Sequence, residues 1–371
     1  MSGSWARHLI PALRDRVSEP HWLRVERTRR GQWLGLRSEV SGGSSWHQFD
    51  LEAQTSTPVS PLEDRDLPGL PIAVSSCLAQ GWEVSLLAHK VGRRALIQCR
   101  RPLPHRHPET EAKLVKVYRR DRHVMRRWQS LNAAPQEHLR TPGILEWQAL
   151  PPLLHLELCP GSSLHELWQQ GLESGEQGQR VAEILGWLQS HSPPVEVPPH
   201  TIDDELRGLQ QRLQDYQEIV ADPGPQPARV LAMVREALQR EANQASAFSH
   251  RDFHDKQVLI AGSTTTLIDL DLVTSAPPAL DAGNVLAHMR LRGLQGLLQD
   301  WQAVAAPVVE WSHQQGLHQS LPRWTAATLL RLALIYCRRR SPADLLAQLF
   351  QSAADALHSS AEWQLLLKKG D

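Results

Sequence analysis

"SHRDFHDKQVLI" runs from Ser249 to Ile260, and "TLIDLD" follows from Thr266 to Asp271. Asp252 lies in the loop-like part of the first stretch, Gln257 opens the apolar piece "QVLIA", and Asp269 closes the next apolar piece. A tight hairpin sets the end of one short strand beside the start of the next. The loop–strand–turn–strand order therefore brings Asp252, Gln257 and Asp269 together. Three oxygen-bearing side chains in one place suit Mg²⁺, which prefers hard oxygen ligands, keeps several waters and bridges to phosphates through one or two protein groups. Phosphoryl transfer needs such a cluster, together with a lysine on the phosphates and a carboxylate that orients the attacking hydroxyl.

A lysine for that role stands upstream in "KLVKVYRR", where Lys116 interrupts an otherwise apolar strand. An inward-facing ammonium is costly unless an anion lies near it. Around Lys116 the chain reads as β structure: "WEVSLLAHKVGRRALIQCRR" is a hairpin turning at "KVGR", and "AKLVKVYRR" is a third strand. A helical pattern covers Asp121 to about Ala134, and "LLHLELCPGSSLHELW" is a buried strand broken at Pro160-Gly161, with Ser162 or Ser163 capping the helix that follows. Beyond Gly161 six segments, from "GQRVAEILGWLQSHS" to "PADLLAQLFQSAADAL", have helical spacing. Before all of this, Trp22 to about Leu51 alternates around the turns "RRGQ" and "SGGSS" like a small antiparallel meander, and 54–71 reads as a Pro/Ser/Thr-rich linker.

The global numbers narrow the partners. The 371 residues are 41% hydrophobic, enough for two or three units with real cores, and 40 basic side chains balance 40 acidic ones. No overall field draws the protein to nucleic acid or to an anionic membrane. The start "MSGSWARHLIPALRDRV" lacks the apolar run of a secretory signal, and no later run reaches membrane-spanning length. The four scattered cysteines have no CxxC pair, so the expectation is a soluble cytoplasmic protein with reduced thiols. The 13 tryptophans are dispersed and read mostly as core.

Lys116, "LELCPGSSL", His250-Arg251-Asp252 with Gln257, and "LIDLD", in this order along the chain, resemble the aminoglycoside phosphotransferase and choline kinase-like family of the protein-kinase-like fold. "LGWLQSHS", "PPALDAGNVLAHM" and "TAATLLRLALIYCRRR" extend the likeness over about residues 70 to 345. The resemblance implies an α+β fold of two lobes, a β-rich N-lobe and a mainly helical C-lobe, with an extra β unit in front. The division expected is 1–70 for that extension and linker, 71–158 for the N-lobe and 159–371 for the C-lobe. By position, Asp252 corresponds to the catalytic base, with His250 and Arg251 bracing its loop. Asp269 corresponds to the metal aspartate and Gln257 to the metal-binding asparagine of most relatives; apart from the resemblance, Asp271, two residues on from Asp269, reads as a second metal contact if the strand continues. Lys116 corresponds to the lysine on the α- and β-phosphates, Leu156, Glu157 and Leu158 to the adenine-facing hinge, and Lys90, Gly92 and Arg93 to the phosphate-covering turn.

Two features depart from that pattern. Gln257 keeps the amide oxygen of asparagine on a longer stem. The helix after Lys116, "DRHVMRRWQSLNAA", has no glutamate to pair with the lysine; Asp121 and Gln129 are its only substitutes. The expected activity is ATP- and Mg²⁺-dependent transfer of the γ-phosphoryl group to a hydroxyl of a small molecule of aminoglycoside, sugar or amino alcohol type. A small acceptor is favoured because "DLVTSAPPALDAGN" is too short for the activation segment of a protein kinase. The alternatives are a nucleotide-binding or interaction module without turnover, and a kinase acting on a protein. Asp281 reads as an anchor of the catalytic loop, and His254 and Asp255 as solvated loop positions. The His105 and His107 pair reads as a surface loop, and the basic runs "RVERTRR" and "YRRDRHVMRR" as solvated faces. An aminoglycoside or choline would call for a carboxylate-lined or aromatic pocket, for which Asp300 and Glu310 are the candidates named by position.

Overall fold

The protein is described by a computed structural model covering residues 9, 11, 13, 21–27, 32–39, 44–53, 55–102, 110–132, 138–194, 196–241, 246–342 and 344–358. His105 and His107 lie outside these residues, as do most of the "RRGQ" turn and part of "SGGSS". The architecture is α+β, β-rich first and helical afterwards.

Four strands, β1 Trp22–Arg27, β2 Trp33–Ser38, β3 Ser44–Asp50 and β4 Thr55–Pro58, form an antiparallel sheet in that order. Helix α1, Gly69–Ala79, then leads into β5 Glu83–Lys90, β6 Arg94–Pro102 and β7 Thr110–Tyr118. The segment 54–71 is therefore not a bare linker, since it holds β4 and the start of α1. Pro68 and Pro71 mimic a linker composition, yet proline is tolerated in the first turn of a helix, and Leu70, Ala73 and Cys77 bury one face of α1. That face packs on Ile97, Cys99, Val115, Val117 and Leu153. Side chains of a strand alternate, so burying Val115 and Val117 under α1 turns Lys116 to the opposite face.

After helix α2, Val124–Asn132, come β8 Leu139–Arg140, β9 Ile144–Ala149 and β10 Pro152–Glu157, of which β9 and β10 complete a five-stranded sheet ordered β5-β6-β7-β10-β9. The chain crosses to the helical half at Leu158–Gly161 and continues through β11 Ser162–Ser163, α3 Leu164–Gln169, α4 Gly175–Gln189, α5 Ile202–Ile219 and α6 Gln226–Gln239. Ser163 caps α3 through a box with Glu166. Strands β12 Ala247–Ser249, β13 Val258–Ala261, β14 Thr264–Leu267 and β15 Thr274–Ala276 follow, and helices α7 Leu280–Leu294, α8 Trp301–Gln314, α9 Ser320–Tyr336 and α10 Leu345–His358 close the chain. Among the six segments with helical spacing, "GNVLAHMRLRGLQGLLQDWQAVA" is not one helix but parts of two: Gly296 takes φ +70, and the Asp300 carboxylate caps α8 by accepting from Ala303 N–H. Helices α7 and α9 are buried on nearly every side at the centre of the main core. Among the described residues no helix is long and apolar enough to cross a membrane.

The N-terminal sheet touches both halves. Val25 N–H donates to Arg338 O at 2.8 Å and Arg340 N–H to Leu23 O at 2.9 Å, while Trp46 Nε1 donates to His89 O at 2.7 Å. Trp22, Val25 and Phe49 share a small core with Ile219 of α5.

Candidate active site

The loop between β12 and β13 is anchored from below. Asp281, at the start of α7, accepts from His250 N–H at 2.7 Å and from Arg251 N–H at 2.8 Å. Arg251 holds the left-handed φ of +67 that this turn requires, a conformation costly for a side-chain residue unless its surroundings fix it. The His250 ring is fully buried, with Nε2 2.9 Å from Ile268 O, and so ties the loop to the chain just before Asp269. Asp255 is buried under Arg292, whose Nε and NH2 lie 2.8 and 3.1 Å away, and under His165 at 2.8 Å. Burial pushes its pKa up, but these partners outweigh that and hold it far below the usual carboxylate range. His254 stacks on His288 with centroids 4.5 Å apart. Neither Asp255 nor His254 is a solvated position: both stabilise the loop from inside. Among the described residues His254, Asp255 and His288 form one group of metal-type donors, but the Asp255 carboxylate is already committed to Arg292 and His165.

Lys116 meets the aspartates across the gap between the two halves. Its Nζ lies 2.5 Å from Asp269 Oδ1 and 2.9 Å from Asp271 Oδ1. Burial lowers the Lys116 pKa, but the two carboxylates more than reverse it. Asp269 takes φ +62, and its carboxyl, raised by burial and lowered further by Lys116 and Arg94, ends well below the usual range. Asp271 receives four donors: Lys116, Tyr118 Oη at 2.8 Å, Trp128 Nε1 at 3.1 Å and Arg94 NH1 at 2.7 Å. Trp128 comes from α2, the helix without a glutamate, and Lys116 also sits 5.1 Å from its ring centroid. The helix thus reaches the lysine indirectly, through an indole and Asp271. No sequence motif announces a tertiary pairing of this kind.

Asp252 and Asp269 line one cavity of about 430 Å³, together with Asp271 and a set of cationic side chains. Burial raises the Asp252 carboxyl, while His254, Arg331, His250 and Lys90 outweigh burial and keep it below its ordinary value. Lys90, Arg93 and Arg94 enter from the β5–β6 hairpin. Burial, then Arg94 and Arg24, push Lys90 down to about 8. Gly92 N–H donates to Asp64 Oδ2 at 2.7 Å, and His89 Nε2 lies 2.8 Å from the same oxygen. Asp64 therefore pins the turn and occupies the Gly92 amide, a partner that the linker-like composition around it concealed. "YRRDRHVMRR" is not simply a solvated face either, because Arg119, Arg120 and Arg122 line the cavity.

The remaining sequence-picked residues lie outside that lining. Gln257 is buried, its Nε2 3.4 Å from His254 Nε2 and its carbonyl accepting from Ile268 N–H at 2.9 Å, which sets it against the strand that leads to Asp269. Leu156 is buried at the end of β10, the Glu157 carboxylate binds Arg140 and Gly143 N–H, and Leu158 begins the crossover; none of the three lines the cationic cavity.

Residues 105–312, more than half of the chain, match the model of the phosphotransferase enzyme family. Comparison with curated proteins by sequence gives no match. Solved structures share the fold at low identity. Choline kinase from Cryptosporidium parvum Iowa II is 11% identical with a TM-score of 0.53, over 83% of this chain and 96% of that one. A microcompartment-associated aminopropanol kinase is 16% identical at 0.52, over 80% and 98%. An amicoumacin kinase in complex with AMP-PNP, Ca²⁺ and Ami is 12% identical at 0.52, over 75% and 88%.

Proposed function

The chain belongs to the phosphotransferase enzyme family, and from that premise we propose that it transfers the γ-phosphoryl group of ATP to a hydroxyl of a small molecule. The observation that carries this reading is the Lys116–Asp269–Asp271 knot at the edge of a cationic cavity that also holds Asp252. The donor set fits the cofactors: Asp269 is an ionised hard-oxygen donor, Gln257 carries an amide oxygen and is tied through its backbone carbonyl to Ile268, the neighbour of Asp269, and the cations suit phosphates. A bound magnesium triphosphate supplies the transferable phosphoryl group and its leaving group. Asp269 and Gln257 would hold the metal, Asp252 would orient the acceptor hydroxyl and take its proton, and Lys116 would face the phosphates. Asp271, whose carboxylate is spent on four donors, would set the lysine rather than bind metal. Lys90, Arg93 and Arg94 would do with side-chain charge what glycine amides do in a protein kinase, consistent with the occupied Gly92 amide. Leu156 to Leu158 would meet the adenine through their backbone, and 1–70, 71–158 and 159–371 are the corresponding units.

Purified protein incubated with ATP·Mg²⁺ and a panel of sugars, hydroxy acids, amino alcohols and aminoglycosides should release ADP with at least one acceptor. Asp252→Asn should lower kcat by about 10³-fold and leave thermal stability nearly unchanged, since asparagine keeps the shape of the side chain. The second reading, nucleotide binding without turnover, is favoured by the lack of a glutamate on the helix after Lys116 and by Gln257 in place of asparagine. It would show as stabilisation by ATP with no ADP released.

A further inference from the structure

We infer that the acceptor is an anion, a hydroxyl compound bearing a phosphate or a carboxylate, because the cleft that holds Asp252 is walled by cations from the β5–β6 hairpin, the connection between β7 and α2, and α5. The inference rests on the phosphotransferase reading above and names its substrate class.

Lys90, Arg93 and Arg94 come from the β5–β6 hairpin, Arg119, Arg120 and Arg122 from the end of β7 and the connection to α2, and Arg212 from α5; they face three aspartates. Asp271 is neutralised by Lys116 and Arg94, and Asp269 by Lys116. Among the described residues no carboxylate lies at ion-pair distance from Lys90, Arg93, Arg120 or Arg122. With Lys116 the cations number eight; the three aspartates, and Asp66, which pairs with Arg119 at 3.2 Å, reduce the excess to four. A magnesium-bound triphosphate brings roughly two net negative charges, which leaves roughly two positive charges uncompensated around the reacting hydroxyl. Arg212 stands on the helical half, away from the hairpin that would cover the phosphates, and its NH1 is held toward Gly208 O at 3.0 Å.

Crowding of like charge extends past the lining. Arg24 of the N-terminal sheet, which is paired with Glu26, is pulled down to about 10 by burial and by Arg339, Arg338 and Arg93. The features that a cationic acceptor needs are elsewhere or spent. Glu310 lines a separate hollow with Glu183 and Trp311, and Asp300 caps α8. Among the described residues Tyr118 is the one aromatic lining the cleft, and its hydroxyl is donated to Asp271. A polycationic aminoglycoside or a quaternary amine would enter a field of its own sign.

The test measures ADP release by the full-length protein with ATP·Mg²⁺ and four acceptor classes: sugar monophosphates, sugar acids, neutral sugars and the cations choline, ethanolamine and kanamycin. Turnover at least about tenfold faster in kcat/KM with one of the two anionic classes supports the inference, and the two arms separate phosphate from carboxylate. Arg212→Gln should then raise KM for the anionic acceptor about tenfold and leave KM for ATP within about twofold. Preference for a cationic or neutral acceptor, or an equal rise in both KM values, overturns it while leaving phosphotransfer intact. If no class turns over, thermal shifts of the protein with AMP-PNP and Mg²⁺ decide. A further shift with the anionic compounds alone keeps the anion site and removes the phosphotransfer reading, and no shift with them overturns the inference.

Discussion

At Asp271 one carboxylate carries the work that a helix acid would otherwise do. Asp271→Asn keeps the shape and removes the charge beneath Lys116, Arg94, Tyr118 and Trp128. Steady-state kinetics should show KM for ATP rising and kcat falling by about tenfold each, because the lysine loses one of its two anchors. Trp128→Phe, which removes the indole N–H donor to Asp271 and shrinks a fully buried ring, should lower activity by less than Asp271→Asn while also lowering the melting temperature. Glu205 tests the pH dependence of the fold. Burial raises its carboxyl, but Arg331, His200 and Arg212 outweigh burial and bring it down to about 2. A carboxyl whose folded pKa lies below the unfolded one binds its proton less readily in the native state, so its contribution is complete above the unfolded value near 4.5 and is lost as pH falls from there toward 2. Melting temperatures of wild type and Glu205→Gln should differ at pH 7 and converge toward pH 3.

At the scale of elements, the crossover at Pro160-Gly161 decides how β11 reaches the site hairpin. Gly161 has φ +107, and a Cβ there would lie 2.5 Å from Ile260 O. Gly161→Ala should destabilise the protein by about 3 kcal/mol in denaturant titration, whereas Ser163→Ala, which removes the cap of α3, should cost about 1 kcal/mol. The break at this dipeptide was legible in the sequence because glycine and proline act locally. So was the strand around Lys116, because a period of two with one charge inside it is a local pattern. Helix α1 was not legible: Pro68 and Pro71 hid a face made of Leu70, Ala73 and Cys77. Nor was the Asp64–Gly92 bond, which joins residues 28 positions apart, nor the pairing of Trp128 with Asp271. His254 and Asp255 looked solvated because a polar loop gives no hint of Arg292 waiting beneath it. The site was visible where chemistry clusters in sequence and hidden where distant segments meet.

Over the whole molecule, the N-terminal sheet closes small hydrophobic contacts with α5 and hydrogen bonds with both halves. A chain starting at residue 60 should melt at least about 5 °C lower, because Ile219 loses Trp22, Val25 and Phe49 as neighbours. ADP release by the two forms with the preferred acceptor would show whether the sheet also aids catalysis; a loss confined to stability means that it only braces. The bonds from Val25 to Arg338 and from Trp46 to His89 act like a stitch across the mouth of a purse. A mouth sewn at one corner would have little gape, so on the phosphotransferase reading a spent nucleotide would leave past a narrow rim. If that escape sets the pace of turnover, Trp46→Phe, which removes the bond to His89 O, should quicken multiple-turnover rates while single-turnover chemistry stays the same.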